Sequence, residues 1–189
     1  MNAPTTRVKI VAGQMASRIG LSRFRRDETG ATAIEFGLVA LPFFALMFAI
    51  LETALMFFAG QAMDTAVSQA ARMIRTGQAQ QQSFDLNKFK SQVCSQIVFF
   101  TNCVAGLKVD VEKYATFDSI NLGLPLDASG NLNAVENFVP GQGKDIVVVR
   151  AYYEWPVIVN KLGNNLATLA DGNHLLVATA AFRNEPFPW

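Results

Sequence analysis

Gly30-Ala31-Thr32-Ala33-Ile34-Glu35-Phe36 opens the longest apolar run of this chain, directly behind a basic N-terminal tail. From Phe36 to Leu51 no residue is charged, and from there to Met63 the one charge is Glu52. About 20 apolar residues span a bilayer, so this run is long enough to cross one. The apolar core of a cleaved secretory signal is much shorter, about 7–15 residues. An anchored transmembrane helix is the better reading. Glu35 then sits just inside it, where an ionised carboxylate costs roughly 2.5–3.5 kcal/mol on insertion scales unless something pairs with it. Two answers are open. Glu35 marks the membrane boundary, solvated near headgroups and favoured by the positive end of the helix. Alternatively, the chain is cut after Gly30, and the new α-amino group of Ala31 lies one helical turn from Glu35.

The rest of the composition is compatible with an anchor carrying a small folded domain. Apolar residues make up 51% of the 189, which suits a packed core and argues against disorder. Arg7, Lys9, Arg18, Arg23, Arg25 and Arg26 precede the span, whereas Arg72 and Arg75 alone follow it closely. The positive-inside rule therefore places the N-terminus in the cytoplasm and the bulk of the chain outside. Residues 61–189 carry ten basic and eleven acidic residues, with no basic face of the kind that nucleic-acid binding needs. The predicted organisation is a basic cytoplasmic leader at 1–30, a transmembrane helix at 31–60 and an extracytoplasmic α+β domain at 61–189. Cys94 and Cys103 would then face an oxidising compartment. They can close a small loop by a disulfide or stand as two unpaired thiols, and their spacing does not decide between these.

Pro42 interrupts the helical run and predicts a kink near Leu38–Pro42. Met63, Ala66, Val67, Ala70 and Ile74 recur at helical spacing, with Asp64, Ser68, Gln69 and Arg72 on the other side. The span therefore continues as an amphipathic helix to about Arg75. Gly77 is placed to cap it, and Gly77–Ser83 is a polar break. Leu86, Phe89, Val93, Ile97 and Phe100 mark a second amphipathic helix, with Ser83 or Asp85 as its cap. Leu107–Glu112 alternates as a half-buried strand, 117–144 is a long loop, Asp145–Trp155 a second strand, and Leu175–Arg183 a third. The expected fold is α+β, with the long helix packed on a small antiparallel sheet.

Signals for catalysis are weak. His174 is the sole histidine and adjoins a strand, a structural position more than a basic one. One histidine and two cysteines at this spacing make no zinc site. Gly141-Gln142-Gly143-Lys144 precedes a strand and lacks the third glycine of a phosphate loop. No serine sits in a Gly-x-Ser-x-Gly elbow. Tyr152, Tyr153 and Trp155 read as strand core. Glu52 lies at the outer membrane edge or faces a partner helix, the edge being favoured. No enzyme activity, cofactor, metal, nucleic acid or small-molecule substrate is expected.

The glycine, four small or apolar residues, then Glu35-Phe36 resemble the processing site of type IV prepilins, closest to the tight-adherence (Flp/Tad) branch. With Gly37-Leu38-Val39, the apolar segment carrying Pro42, Glu52 and Ala70-Ala71-Arg72, residues 24–83 resemble the TadE-like pseudopilins. Ala180–Phe187 is similar to that family's closing segment. The resemblance implies a pilin-like fold and cleavage between Gly30 and Ala31 by a prepilin peptidase. It further implies that Glu35 and Phe36 set register between packed helices during assembly of a Flp pilus. Implied partners are the membrane, the peptidase, TadF-like and TadG-like proteins and the major Flp pilin. The implied location is the inner membrane, single-pass, with a periplasmic C-terminal domain that can enter the pilus. The rival reading is a membrane-anchored binding domain that is never processed.

Overall fold

Helix α1 runs from Glu28 to Arg75 in the computed structural model, which describes residues 28–158 and 166–187. The basic leader up to residue 27 and part of the segment between the second and third expected strands lie outside the described residues. The chain divides into two units at Leu46/Met47.

In the first unit, residues 28–46 are helical throughout, and the helix continues through Pro42. Its large side chains point outward: Ile34, Phe36, Leu38, Val39, Leu41, Phe43, Phe44 and Leu46 are all exposed. A helix apolar on every side, with none of those sides covered, is built for lipid rather than water.

In the second unit, α1 acquires a buried stripe. Ala49, Glu52, Met56, Ala59, Met63, Ala66, Ala70 and Ile74 are buried at steps of three and four residues, with Val67 and Ala71 beside them. This is the periodicity that the sequence shows for the segment beyond Gly60. Half of the stripe is alanine, so the helix backbone lies close to its neighbour; beside the stripe, a Cβ at Gly60 would sit 3.9 Å from Leu176. The helix stops at Gly77, whose φ of 81° is open to a residue without Cβ, and its N–H closes the last turn on the Ile74 carbonyl.

A one-turn helix, α2 (Gln78–Gln81), occupies the predicted polar break. Helix α3 (Leu86–Cys94) follows, capped by the Asp85 carboxylate, which accepts from the Lys88 N–H at 2.7 Å. It ends earlier than the apolar spacing predicts. Ile97 and Phe100 are buried as expected, but they reach the core from turns leading to the short helix α4 (Cys103–Gly106). Turns at 94–102, ending with Asn102 at φ 50°, keep the apolar positions while abandoning the helix.

The sheet has four strands: β1 (Lys108–Tyr114), β2 (Asn137–Phe138), β3 (Ile146–Trp155) and β4 (His174–Arg183), in the order β2-β1-β3-β4. The three predicted strands are present and pair antiparallel, β1 with β3 and β3 with β4. The expectation of a purely antiparallel sheet is corrected by β2, which pairs parallel to β1. Two residues are too few to show alternation, so nothing in the local pattern of the 117–144 loop marked them.

One face of the sheet (Val109, Val111, Val147, Val149, Ala151, Leu176, Ala178) packs with α1 and α3 to form the main core. Phe89 and Met63 are fully buried there, each contributing about 1.5–3 kcal/mol by removal from water. The other face is covered in part by the long loop and the segment before β4, with Leu132, Ala134 and Leu169 around Tyr152 and Leu175. The end of β4 is strapped back onto α1: Glu185 N–H donates to the Arg75 carbonyl at 2.8 Å. The buried Asn184 amide donates to the Pro140 and Gln142 carbonyls.

Candidate functional site

Of the residues singled out in the sequence, Gly30, Ala31, Glu35, Phe36 and Glu52 stand on α1. Gly30 lies in its first turn, exposed, and a Cβ built there would meet nothing within 4 Å. Ala31 is exposed, and so are Ile34, Glu35 and Phe36. Ala31 and Glu35 are four residues apart on a continuous helix, hence on one side of it. Among the described residues nothing forms a hydrogen bond or ion pair with the Glu35 carboxylate. The local geometry is thus an unobstructed glycine, a small residue, and a carboxylate one turn on that no side chain of the described fold answers.

Glu52 is different. It is buried among the second unit's side chains, and its Oε1 accepts the backbone N–H of Ile158, just beyond the end of β3. The choice between membrane edge and partner helix therefore gains a third element that the sequence did not show: the folded domain itself holds this carboxylate. Nearby, Thr53 Oγ1 donates to the Ala49 carbonyl at 2.8 Å, a back-bond that keeps a hydroxyl satisfied on an apolar helix.

Cys94, at the end of α3, and Cys103, at the start of α4, are joined by a disulfide, with Cα atoms 5.7 Å apart. The bridge closes the 95–102 loop against the core, where Phe100 lies 4.2 Å from the Tyr153 ring and the Tyr153 hydroxyl donates to the Thr101 carbonyl at 2.9 Å. Burial pushes the Tyr153 phenol above its ordinary value.

Two ionic clusters escaped the sequence reading. Lys90 sits within the apolar stripe of α3 and is almost wholly buried, its Nζ 2.6 Å from Glu136. Lys108 Nζ lies 3.5 Å from the same carboxylate, which also accepts from the Val109 N–H. Burial alone would push the Glu136 carboxyl up; hydrogen bonding to Lys90 and its positive charge outweigh that and hold it below the ordinary range. The signal available was a lysine at a core position of an amphipathic helix, which needs a counter-charge that only tertiary contact can name.

On the sheet's other face, Arg150 stands across from Asp110, with Nη2 at 2.5 Å from the Asp110 carboxylate and 3.1 Å from that of Glu112. Tyr114 donates to Glu112 at 2.6 Å, and that bond, then burial, raises its pKa. These charges are spent on one another and on the loop carbonyl of Asn121. His174 Nδ1 donates to the Leu166 carbonyl at 2.7 Å, as a carbonyl only accepts. Among the described residues no group of three or more His, Cys, Asp or Glu side chains is placed to hold a metal ion. The arrangement is one of structural pairing, and between Gly30 and Leu51 the titratable residue is Glu35, which is exposed.

Residues 30–72 match the model of the TadE-like protein family, a segment lying wholly within α1. Comparison of the chain with characterised proteins and with solved structures finds no significant match. The matched segment begins at Gly30 and contains Glu35, Pro42 and Glu52, the residues on which the resemblance was drawn. TadE-like proteins are pilus-associated structural and assembly proteins, not enzymes. The TadE-like match over residues 30–72 and, among the described residues, one N-terminal helix long and apolar enough to cross a membrane fit a protein associated with a Tad pilus.

Proposed function

We propose that this chain is a minor pilin, or pseudopilin, of a tight-adherence pilus. In this reading a prepilin peptidase cuts between Gly30 and Ala31, and the freed amine of Ala31 answers a glutamate. That glutamate is its own Glu35 or a neighbouring subunit's, so that the pair sets axial register between packed helices. The observation that carries the reading is the coincidence of three features: a family match starting at Gly30, an uncluttered glycine, and an exposed Glu35 lacking any partner in the described fold. A peptidase cleft accepts a residue without a side chain most easily, and a carboxylate near the membrane needs a cation. Phe36 adjoins Glu35 on the lipid-facing surface and packs beside a neighbouring helix.

The orientation follows the basic leader, with the N-terminus cytoplasmic and the α+β domain on the far side of the inner membrane, where the pilus begins. Partners are the peptidase, TadF-like and TadG-like subunits and the major Flp pilin. The sheet domain selects which subunit lies alongside. Mass spectrometry of protein extracted from membranes tests the first step. An Ala31 N-terminus is expected, and a leader retained in piliated cells overturns the proposal. For the register step, Glu35→Ala is expected to be cleaved yet to fail in assembly; normal piliation in that variant excludes the role given to Glu35.

A further inference from the structure

The folded domain begins to pack on α1 at Ala49, well inside the apolar run, which stays free of charge apart from Glu52 as far as Asp64. Counting about 20 residues from Phe36 brings the bilayer boundary to the neighbourhood of Leu55. The last two turns of the membrane-length segment therefore already have protein on one side. On the same stretch Leu55, Phe57 and Phe58 remain 59%, 68% and 61% exposed.

What lies beside these turns is apolar and outward-facing. Val98 is 93% exposed and Phe99 39%, on the loop that the Cys94–Cys103 bridge closes. Ile158, whose N–H is held by Glu52, is 83% exposed. Phe99 stacks on Phe58 at 5.3 Å and meets Trp155 edge-on at 6.5 Å, so loop, strand end and helix share one aromatic cluster. No charged residue occurs between Cys94 and Leu107, nor between Trp155 and Ile158. Side chains such as Val98 and Ile158 gain nothing from water, and grouped exposed apolar residues mark an interaction surface.

We infer that Val98, Phe99, Trp155 and Ile158 form a second membrane contact, through which the folded domain rests in the headgroup–acyl boundary of the leaflet nearest to it. The occupant is lipid because the patch adjoins the exposed turn of α1 that carries Leu55, Phe57 and Phe58, at the level where the span ends. Its composition is that of an interfacial patch, uncharged and aromatic, like the belts found where membrane proteins leave the bilayer. The Glu52 bond to Ile158 ties one loop to the helix at that level, and the disulfide holds the other. The inference rests on the membrane-anchored reading of α1.

The test uses the full chain in phosphatidylcholine vesicles. Trp189→Phe leaves Trp155 as the sole tryptophan. A parallel variant carries Phe48→Trp with Trp155→Phe and Trp189→Phe, reporting on the span. Lipids brominated near the top of the acyl chain are expected to quench Trp155 and to protect it from aqueous iodide, and lipids brominated deep in the chain to quench the Phe48→Trp reporter. Adding Val98→Asp at its exposed site is expected to abolish the quenching of Trp155, with the disulfide intact by thiol titration. A quenched span reporter beside an iodide-accessible Trp155 overturns the inference and leaves the anchor standing. Loss of quenching at both positions overturns the anchor as well. Shielding of Trp155 from iodide and bromolipid alike shows that protein covers the patch, which also overturns the inference.

Discussion

Before Ala49, helix α1 turns its large apolar side chains outward, from Ile34 at 70% exposure to Leu46 at 62%; after it, one side is sealed, with Ala59, Met63 and Ala70 inaccessible. Within the apolar run from Gly30 to Met63, each half carries one carboxylate. Glu35 is exposed and has no partner in the described fold, whereas Glu52 is buried and accepts a backbone N–H. The contrast shows what a chain does with a charge on an apolar helix. Where its own fold reaches the helix it answers the charge internally. Where the fold does not reach, the answer must come from a terminus, a lipid headgroup or another subunit.

Substitutions can break that contrast, and the largest effect belongs to the sealed side. Phe89→Ala empties a fully buried site facing the core and is expected to destabilise the domain by about 3–5 kcal/mol. Phe43→Ala, on the exposed half, is expected to leave the domain's urea midpoint where it was, measured in detergent by tryptophan fluorescence. Equal loss in both variants erases the distinction between the halves.

Next comes the buried lysine. Glu136→Gln strands the Lys90 charge and is expected to cost about 3 kcal/mol, the lower end for broken buried pairs because Glu136 is itself partly exposed. The pH dependence has a definite sign. Because the folded-state pKa of Glu136 lies below its unfolded value, its contribution is complete above about pH 4.3 and is lost as pH falls through the folded value. Urea midpoints of the wild type should therefore drop on acidification, and those of Glu136→Gln should drop less. Parallel curves would exclude the pair as the acid-sensitive element.

The smallest expected changes compare the two carboxylates directly. Glu52→Ala removes the acceptor of the Ile158 N–H and is expected to cost about 1 kcal/mol, the ordinary net worth of a hydrogen bond, since Ile158 itself is exposed. Glu35→Ala is expected to stay within about 0.5 kcal/mol of the wild type, as an exposed substitution away from the core. A stability loss at Glu35 as large as at Glu52 would mean that the folded domain already uses it.

Much of the fold was legible because it is local. The stripe Met63–Ala66–Val67–Ala70–Ile74, the glycine stop at Gly77, the Asp85 cap and the alternating strands each depend on neighbours within a few residues. The end of α3 is not legible in the sequence, because Ile97 and Phe100 keep a helical spacing that turns satisfy equally well. Strand β2 is not legible either, because two residues carry no period. The alignment of Gly30, Ala31, Glu35 and Phe36 on an open helix was legible too, since it needs only the helical repeat and the apolar run.

The sequence by itself determined that a membrane-length helix leads into an amphipathic continuation and an α+β domain, because hydrophobic periodicity is written residue by residue. Only the tertiary structure decided that Glu52 is claimed by the loop after β3, that Lys90 meets Glu136, and that Val98 and Ile158 are left outside beside the end of the span. The partners in each case are tens of residues apart in the chain. Their pairing depends on where the sheet and loops close upon the helix, and no local pattern encodes that.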